Sequence, residues 1–325
     1  MNAQPTYASI QLALVALTGG LIMLTAGGEF LVSGATKLAR RWGMTTLLIG
    51  LTVVAFGTST PELFVGLIAL FQNHPDLMVG NVVGSNIANI GLILGISAVI
   101  VPLPVTYALV QLELYLVLLA SLALMAIALF GTVIRPVGLV FVGGLIGYTY
   151  FAYRKAGREK NKPPENKDYT DENISPAVNS YYYIFFLLTV GFFLLAYGSD
   201  IFIAGAIDMA KFLGVNDLII GLTLAAVGTS LPELASCFAA LRHRQSDLLV
   251  GNIIGSNLFN ISMVLGIGAI VKPYTLSSGL LVRDLPIMFL FSAVLVPLFF
   301  FGKKLSRLHG LLLLVAYGGY IWLLT

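Results

Sequence analysis

The chain has 325 residues, of which 58% are hydrophobic and only 10% charged, with a formal net charge of +3 and a mean hydropathy of +0.93. An ordinary soluble domain of this length does not carry that balance. The composition excludes a water-soluble globular fold and places the chain in a bilayer.

Apolar runs of about 20 residues, long enough to cross the hydrocarbon core, recur along the whole chain. They fall at roughly 9–37, 44–71, 77–101, 107–131, 133–152, 180–211, 215–241, 247–271, 284–302 and 306–324. Their length predicts helices, because barrel strands are short and strictly alternating. The third and eighth runs are glycine-rich enough to break. The first run starts without a basic segment or a cleavage site and reads as part of the mature protein. The lone cysteine, Cys237, lies in the seventh run, so no intrachain disulfide is possible. Between the fifth and sixth runs, 153–179 is the one extended polar stretch, rich in charge, Pro and Asn. It reads as a flexible linker, with a basic first part that could touch anionic lipid. The predicted organisation is a five-helix repeat over 1–152, a cytoplasmic linker over 153–179 and a second five-helix repeat over 180–325.

Residues 50–100 reappear as 221–271 at a constant offset of 171, without a gap and with 26 of 51 positions identical. The first copy reads G-T-S-T-P-E-L at 57–63 and G-N-V-V-G-S-N-I-A-N-I at 80–90. The second reads G-T-S-L-P-E-L at 228–234 and G-N-I-I-G-S-N-L-F-N-I at 251–261. The same offset pairs Glu29 with Asp200 and Glu113 with Asp284. Duplicated membrane units with interrupted helices are the pattern of secondary transporters. With the N-terminus outside, the inner loops hold 14 of the 18 Lys and Arg. The positive-inside rule then puts both termini outside and 153–179 in the cytoplasm. Five spans per half force the second repeat to enter the membrane inverted.

The chemistry lies in the repeated motifs. Pro61 and Pro232 lack an N–H, which strips the Gly57 and Gly228 carbonyls of their helical partners. Thr58 and Glu62 are four residues apart, as are Thr229 and Glu233, so hydroxyl and carboxylate are expected on one helical face. Ser85 and Asn89, and Ser256 and Asn260, repeat that spacing. The glycines and hydroxyls also suit close helix packing. The glutamates do not, since a charge at mid-bilayer costs at least ~2.5 kcal/mol, and no basic residue lies near either within a span. Carboxylates, hydroxyls, amide oxygens and loosened carbonyls form an all-oxygen set, which suits hard cations such as calcium or sodium.

These paired G-T-S-x-P-E and G-N-x-x-G-S-N-x-x-N motifs resemble the alpha-repeats of the sodium/calcium exchanger family, within the calcium/cation antiporter superfamily. The resemblance covers nearly the whole chain. It implies an all-α polytopic membrane protein of ten transmembrane helices in two inverted five-helix repeats. The second, third, seventh and eighth helices would form the ion sites, and the long first and sixth would move. Carried over by position, it implies Glu62 and Glu233 as carboxylates shared by calcium and sodium, with Thr58 and Thr229 joining them around calcium. Ser59, Ser85, Ser230 and Ser256, with the carbonyls of Ala55 and Ala226, would complete the sodium sites, and Asn89 and Asn260 would face the centre. Many family members carry aspartate at the position of Asn260, and this chain has asparagine in both repeats, which leaves stoichiometry and any potassium requirement open.

The expected function is sodium-driven calcium efflux by a prokaryotic plasma-membrane antiporter. A calcium/proton antiporter is the alternative, because the same glutamates could cycle protons, although proton exchange alone does not need the paired hydroxyls. A channel would give flux without coupling. An enzyme is disfavoured because Ser59 and Ser230 have no buried base nearby in sequence. No cofactor is expected beyond the transported calcium and sodium ions. The expected partners are the bilayer and those ions, with no nucleic acid and no obligate protein partner. Glu29 and Asp200 line an access route or cap a buried helix contact; Glu113 and Asp284 are expected to snorkel to the interface. His74, His243 and His309 are expected as exposed loop residues.

Overall fold

The computed structural model describes residues 6–129, 131–159, 180–213, 228–302 and 304–324. The first half holds α1 (Ile10–Trp42), α2 (Thr46–Phe71), α3 (Pro75–Ile100), α4 (Tyr107–Leu129) and α5 (Arg135–Glu159). The second holds α6 (Tyr181–Phe212), α7 (Leu231–Arg242), α8 (Ser246–Val271), α9 (Leu280–Phe301) and α10 (Arg307–Leu324). Among the described residues, nine helices are long and apolar enough to cross a membrane. The tenth is α7, the inner part of the predicted span 215–241, whose earlier residues lie outside the described ones. The fold is an all-α polytopic membrane protein.

α1 runs several residues past the predicted apolar span. Its last turn carries Arg40 and Arg41, favourable at the negative end of the helix dipole. Gly43, at φ 67, ends it in the left-handed conformation and turns its N–H back to Ala39 and Arg40. Two short antiparallel ribbons tie the loops together. β1 (Leu103–Pro104) pairs with β4 (Lys304–Leu305), and β2 (Thr132–Val133) with β3 (Tyr274–Thr275). The first ribbon joins segments that follow the third and ninth spans, and the second joins segments that follow the fourth and eighth. Odd meets odd and even meets even, as two inverted five-helix repeats require.

The two longest helices, α1 and α6, pack along each other. Glycines recur every seven residues on both, at 20, 27 and 34 and at 191, 198 and 205, related by the offset of 171. A Cβ at Gly20 would stand 2.6 Å from the Phe202 backbone nitrogen, and one at Gly191 would stand 2.8 Å from that of Leu31. The contact is backbone against backbone, which only small residues permit. The α3 and α8 spans are the most enclosed, 72% and 89% buried against 22% for α10, so their polar residues face protein rather than lipid.

The helix breaks fall elsewhere than the glycine content predicts. α3 and α8 stay continuous and only widen into π-type turns at Asn89–Leu94 and Asn260–Leu265. α2 breaks at Ser59 (φ −85, ψ 0), and Ser230 precedes α7 in nearly the same conformation (φ −89, ψ 5). Glycine lowers helix propensity but keeps its N–H, whereas Pro61 and Pro232 remove theirs, so the break follows the prolines. Glu113 and Asp284 do not extend out of the protein either. They are 7% and 4% exposed. Tyr148 Oη of α5 donates to Glu113 Oε1 at 2.8 Å, and Arg283 and Tyr320 donate to Asp284. A neighbouring tyrosine meets each carboxylate inside the protein, which removes the drive to snorkel.

Gly19 and Gly20 form a matched test of the close packing, since a Cβ at Gly19 meets nothing within 4 Å. Gly20→Ala is expected to destabilise the protein by ~1–3 kcal/mol, and Gly19→Ala to be neutral or slightly stabilising. Thermal unfolding of the detergent-solubilised variants checks this, and equal behaviour of the two would contradict backbone-to-backbone contact.

Candidate ion-binding site

The breaks at Ser59 and Ser230 set the geometry. Each places a glutamate in the first turn of a new helical segment, Glu62 in Thr60–Phe71 and Glu233 in α7. There the free N–H groups and the helix dipole favour an anion. Both side chains are fully buried, and Glu62 lies within electrostatic reach of Glu233. Among the described residues no hydrogen bond reaches either oxygen of Glu62 or Oε2 of Glu233, and Ser59 Oγ donates to Glu233 Oε1 at 3.4 Å.

A polar shell from α3 and α8 closes around them with two-fold pseudosymmetry. Thr58 Oγ1 donates to Asn252 Oδ1 at 3.2 Å and lies 3.4 Å from Ser256 Oγ. In the other half Thr229 Oγ1 donates to Asn81 Oδ1 at 3.0 Å and lies 3.3 Å from Ser85 Oγ. Asn86 Nδ2 donates to the Asn257 carbonyl and Asn257 Nδ2 to the Asn86 carbonyl, at 3.2 and 3.3 Å. Asn89 Nδ2 donates to Asn257 Oδ1 at 3.0 Å and Asn260 Nδ2 to Asn86 Oδ1 at 3.1 Å. Those donations use up the amide protons facing α3 and α8 and leave the Asn89 and Asn260 Oδ1 atoms buried without partners.

Among the described residues, five buried acceptor oxygens of these four side chains stand unpartnered, both of Glu62, Oε2 of Glu233 and Oδ1 of Asn89 and Asn260; Ser230 Oγ joins them. Buried polar groups left without partners are costly, and a hard cation is the partner such a set satisfies.

The structure brings together Thr58, Ser59, Glu233 and Ser256, and separately Thr229 and Ser85. Ala55 is buried, and its carbonyl accepts the Ser59 N–H at 2.9 Å. Ala226 lies outside the described residues. Thr58 and Ser59, on α2, face the Glu233 carboxylate of the opposite half, with Ser59 Oγ donating to Oε1 at 3.4 Å. The Gly228 carbonyl loosened by Pro232 is met by Ser199 Oγ of α6 at 2.9 Å. The spacing argument missed Asn81, Asn86, Asn252 and Asn257. Asn81 and Asn252 stand one helical turn before Ser85 and Ser256, so extending the four-residue pattern backwards would have found them.

Glu29 joins two helices at a partly exposed contact and lines a cavity with Arg242. Its carboxylate pairs with Arg242 Nη1 at 2.7 Å and His243 Nε2 at 2.5 Å, tying α1 to the end of α7. Gly28 lies against the Ala235 carbonyl beside it. His243 is exposed just past the end of α7, as expected, and engages Glu29 there. His309 Nδ1 accepts the Ser306 N–H ahead of α10, while His74 and Asp200 are exposed.

What the inverted halves and this oxygen-lined interior define together is a membrane antiporter for cations, calcium among them. The family description "Sodium/calcium exchanger protein" matches residues 12–154 and 183–325, and the chain belongs to that family. It is similar to the inner membrane protein YrbG of Escherichia coli, at 32% identity over 96% of each chain. It is similar to the sodium/calcium exchanger MaX1 of Methanosarcina acetivorans, at 28% identity over 93% of this chain and 95% of that one. The solved structure of the sodium-calcium exchanger NCX_Mj, soaked with sodium and strontium, superposes with a TM-score of 0.82 at 30% identity, covering 97% of this chain and 99% of that one.

The crossed asparagines make a further expectation. Asn86→Ala and Asn257→Ala should each destabilise the protein by ~1–3 kcal/mol, because each leaves buried polar groups unpaired. By the symmetry of their bonds the two losses should be similar. Thermal unfolding in detergent measures both, and a variant that melts like the parent would show that the clamp does not hold α3 to α8.

Proposed function

We propose that this protein is a sodium-driven calcium antiporter working by alternating access. The observation that carries the reading is the set of five unpartnered buried oxygens on Glu62, Glu233, Asn89 and Asn260, with the two glutamates in electrostatic reach of each other. Two carboxylates balance one divalent ion. In this reading Glu62, Glu233, Thr58 and Thr229 surround calcium. Ser59, Ser85, Ser230 and Ser256, with the carbonyls of Ala55 and Ala226, serve sodium, while Asn89 and Asn260 face the centre as neutral oxygens. The names of MaX1 and NCX_Mj as sodium/calcium exchangers support the choice of ions. Residues 1–152 and 180–325 act as the two repeats and 153–179 as a cytoplasmic linker. Both termini lie outside, in a plasma or inner membrane, as the charge distribution and the inner-membrane relative support.

Radiolabelled calcium uptake by proteoliposomes, driven by a sodium gradient, a proton gradient or none, tests the coupling. Uptake with sodium alone supports the proposal; uptake with protons alone replaces it with calcium/proton exchange. Glu62→Gln and Glu233→Gln keep shape while removing one compensating charge from a buried site. Each is expected to lower sodium-driven uptake by at least about a hundredfold, with normal insertion and a normal gel-filtration profile. Near-parental uptake by either variant would remove that glutamate from the central role.

Orientation is tested separately. Cysteines introduced at 3 and 324 are expected to react with an impermeant thiol reagent on intact cells, and one at 165 is not. The native Cys237 is 1% exposed and should stay silent. External labelling at 165 would reverse the topology.

A further inference from the structure

A hydroxyl ligates a cation through its oxygen lone pairs, so its proton has to be placed elsewhere. On one side of the site the structure supplies that place. Thr58 Oγ1 and Ser256 Oγ both donate to the same atom, Asn252 Oδ1, at 3.2 and 3.5 Å. Both hydroxyls also lie within electrostatic reach of the Glu233 carboxylate, and Thr58 Oγ1 lies 3.5 Å from the Ala55 carbonyl. Once a cation occupies Glu233, Asn252 is the acceptor common to both protons.

An asparagine does this only one way round, since turned over it would present two N–H donors to those hydroxyls. Its orientation is fixed from behind. Asn252 Nδ2 donates to Ser236 Oγ at 3.0 Å, with Cys237 Sγ at 3.8 Å. Ser236 Oγ passes its own proton to the Glu233 backbone carbonyl at 2.9 Å, so it offers the amide only a lone pair. Asn252 and Ser236 are 1% and 2% exposed.

We propose that Asn252 and Ser236 are positioning residues of the cation site. Ser236 holds the Asn252 amide with its oxygen inward, and that oxygen collects the Thr58 and Ser256 protons so that both hydroxyls turn lone pairs to the ion. This rests on the reading of the Glu62–Glu233 interior as the cation site. The first repeat lacks the device. The offset of 171 sets Val65 and Gly66 where Ser236 and Cys237 stand, and neither has an acceptor side chain. Val65 is 45% exposed, and Asn81 Nδ2 is buried without a partner. The pseudosymmetric site is therefore held from behind on its Thr58–Ser256 side, and its Thr229–Ser85 side has no counterpart to Ser236.

The test uses full-length protein in proteoliposomes and reads half-saturating calcium and maximal rate separately. An aspartate presents acceptor oxygens either way round and needs no holding. Ser236→Ala is expected to raise half-saturating calcium about tenfold, with maximal rate within about twofold of the parent, and Ser236→Thr to restore it. Added to an Asn252→Asp background, Ser236→Ala is expected to change half-saturation by less than about twofold. No effect of Ser236→Ala, or an equal effect in both backgrounds, overturns the proposal. If Asn252→Asp does not fold, the comparison of Ser236→Ala with Ser236→Thr decides alone: a loss that threonine repairs supports the role, and a loss it does not repair overturns it. Calcium titration of the parent separates this inference from the exchange reading. A parent that binds calcium but does not exchange it for sodium removes that reading, and the same variants are then compared by binding constant. A parent that binds neither cation overturns both.

Discussion

Two carboxylates buried with no counter-ion are the constraint around which this structure is organised. An ionised group at such depth costs several kcal/mol unless it is neutralised, and among the described residues three of the four carboxylate oxygens of Glu62 and Glu233 have no hydrogen-bond partner. The surrounding architecture reads as the means of keeping those oxygens available. Prolines one residue ahead go with the break in α2 at Ser59 and the start of α7 after Ser230, so that each glutamate sits in the first turn of a helical segment. The asparagines of α3 and α8 donate amide protons to each other, which leaves Oδ1 of Asn89 and Asn260 buried without a partner among the described residues. Hydroxyls from one half serve the carboxylate of the other.

The duplication explains how one chain makes such a centre. Each repeat supplies one carboxylate and one set of hydroxyls, and inversion brings the two sets together from opposite faces. Around this core, α1 and α6 meet through glycine stripes that follow the same offset. Departures from symmetry are equally specific. Glu29 ties α1 to α7 through Arg242 and His243, whereas its counterpart Asp200 is exposed. Ser199 of α6 caps the Gly228 carbonyl, and the offset places Gly28, with no side chain to donate, at its counterpart in α1. A two-state transporter needs near-equal halves to visit both states and unequal details to set their balance.

Much of this was legible in the sequence. The span lengths gave the helices, the offset of 171 gave the inverted halves, and the two P-E dipeptides gave the buried carboxylates. What escaped was of one physical kind. Contacts between helices distant in sequence, such as Thr58 with Ser256 or Glu113 with Tyr148, follow from packing and not from local spacing. The glycine stripes and the asparagines at 81, 86, 252 and 257 were visible as repeats, but their role needed the facing helix.

The central claim is that one divalent ion is held jointly by Glu62 and Glu233. Crystals of the protein soaked with strontium, with anomalous diffraction recorded, locate that ion directly. The account predicts a single strong peak between α2 and α7 within about 2.3–2.8 Å of oxygens from both carboxylates, the lower part of that range being typical of calcium. A peak coordinated by one glutamate alone, or none between the two helices, would contradict it.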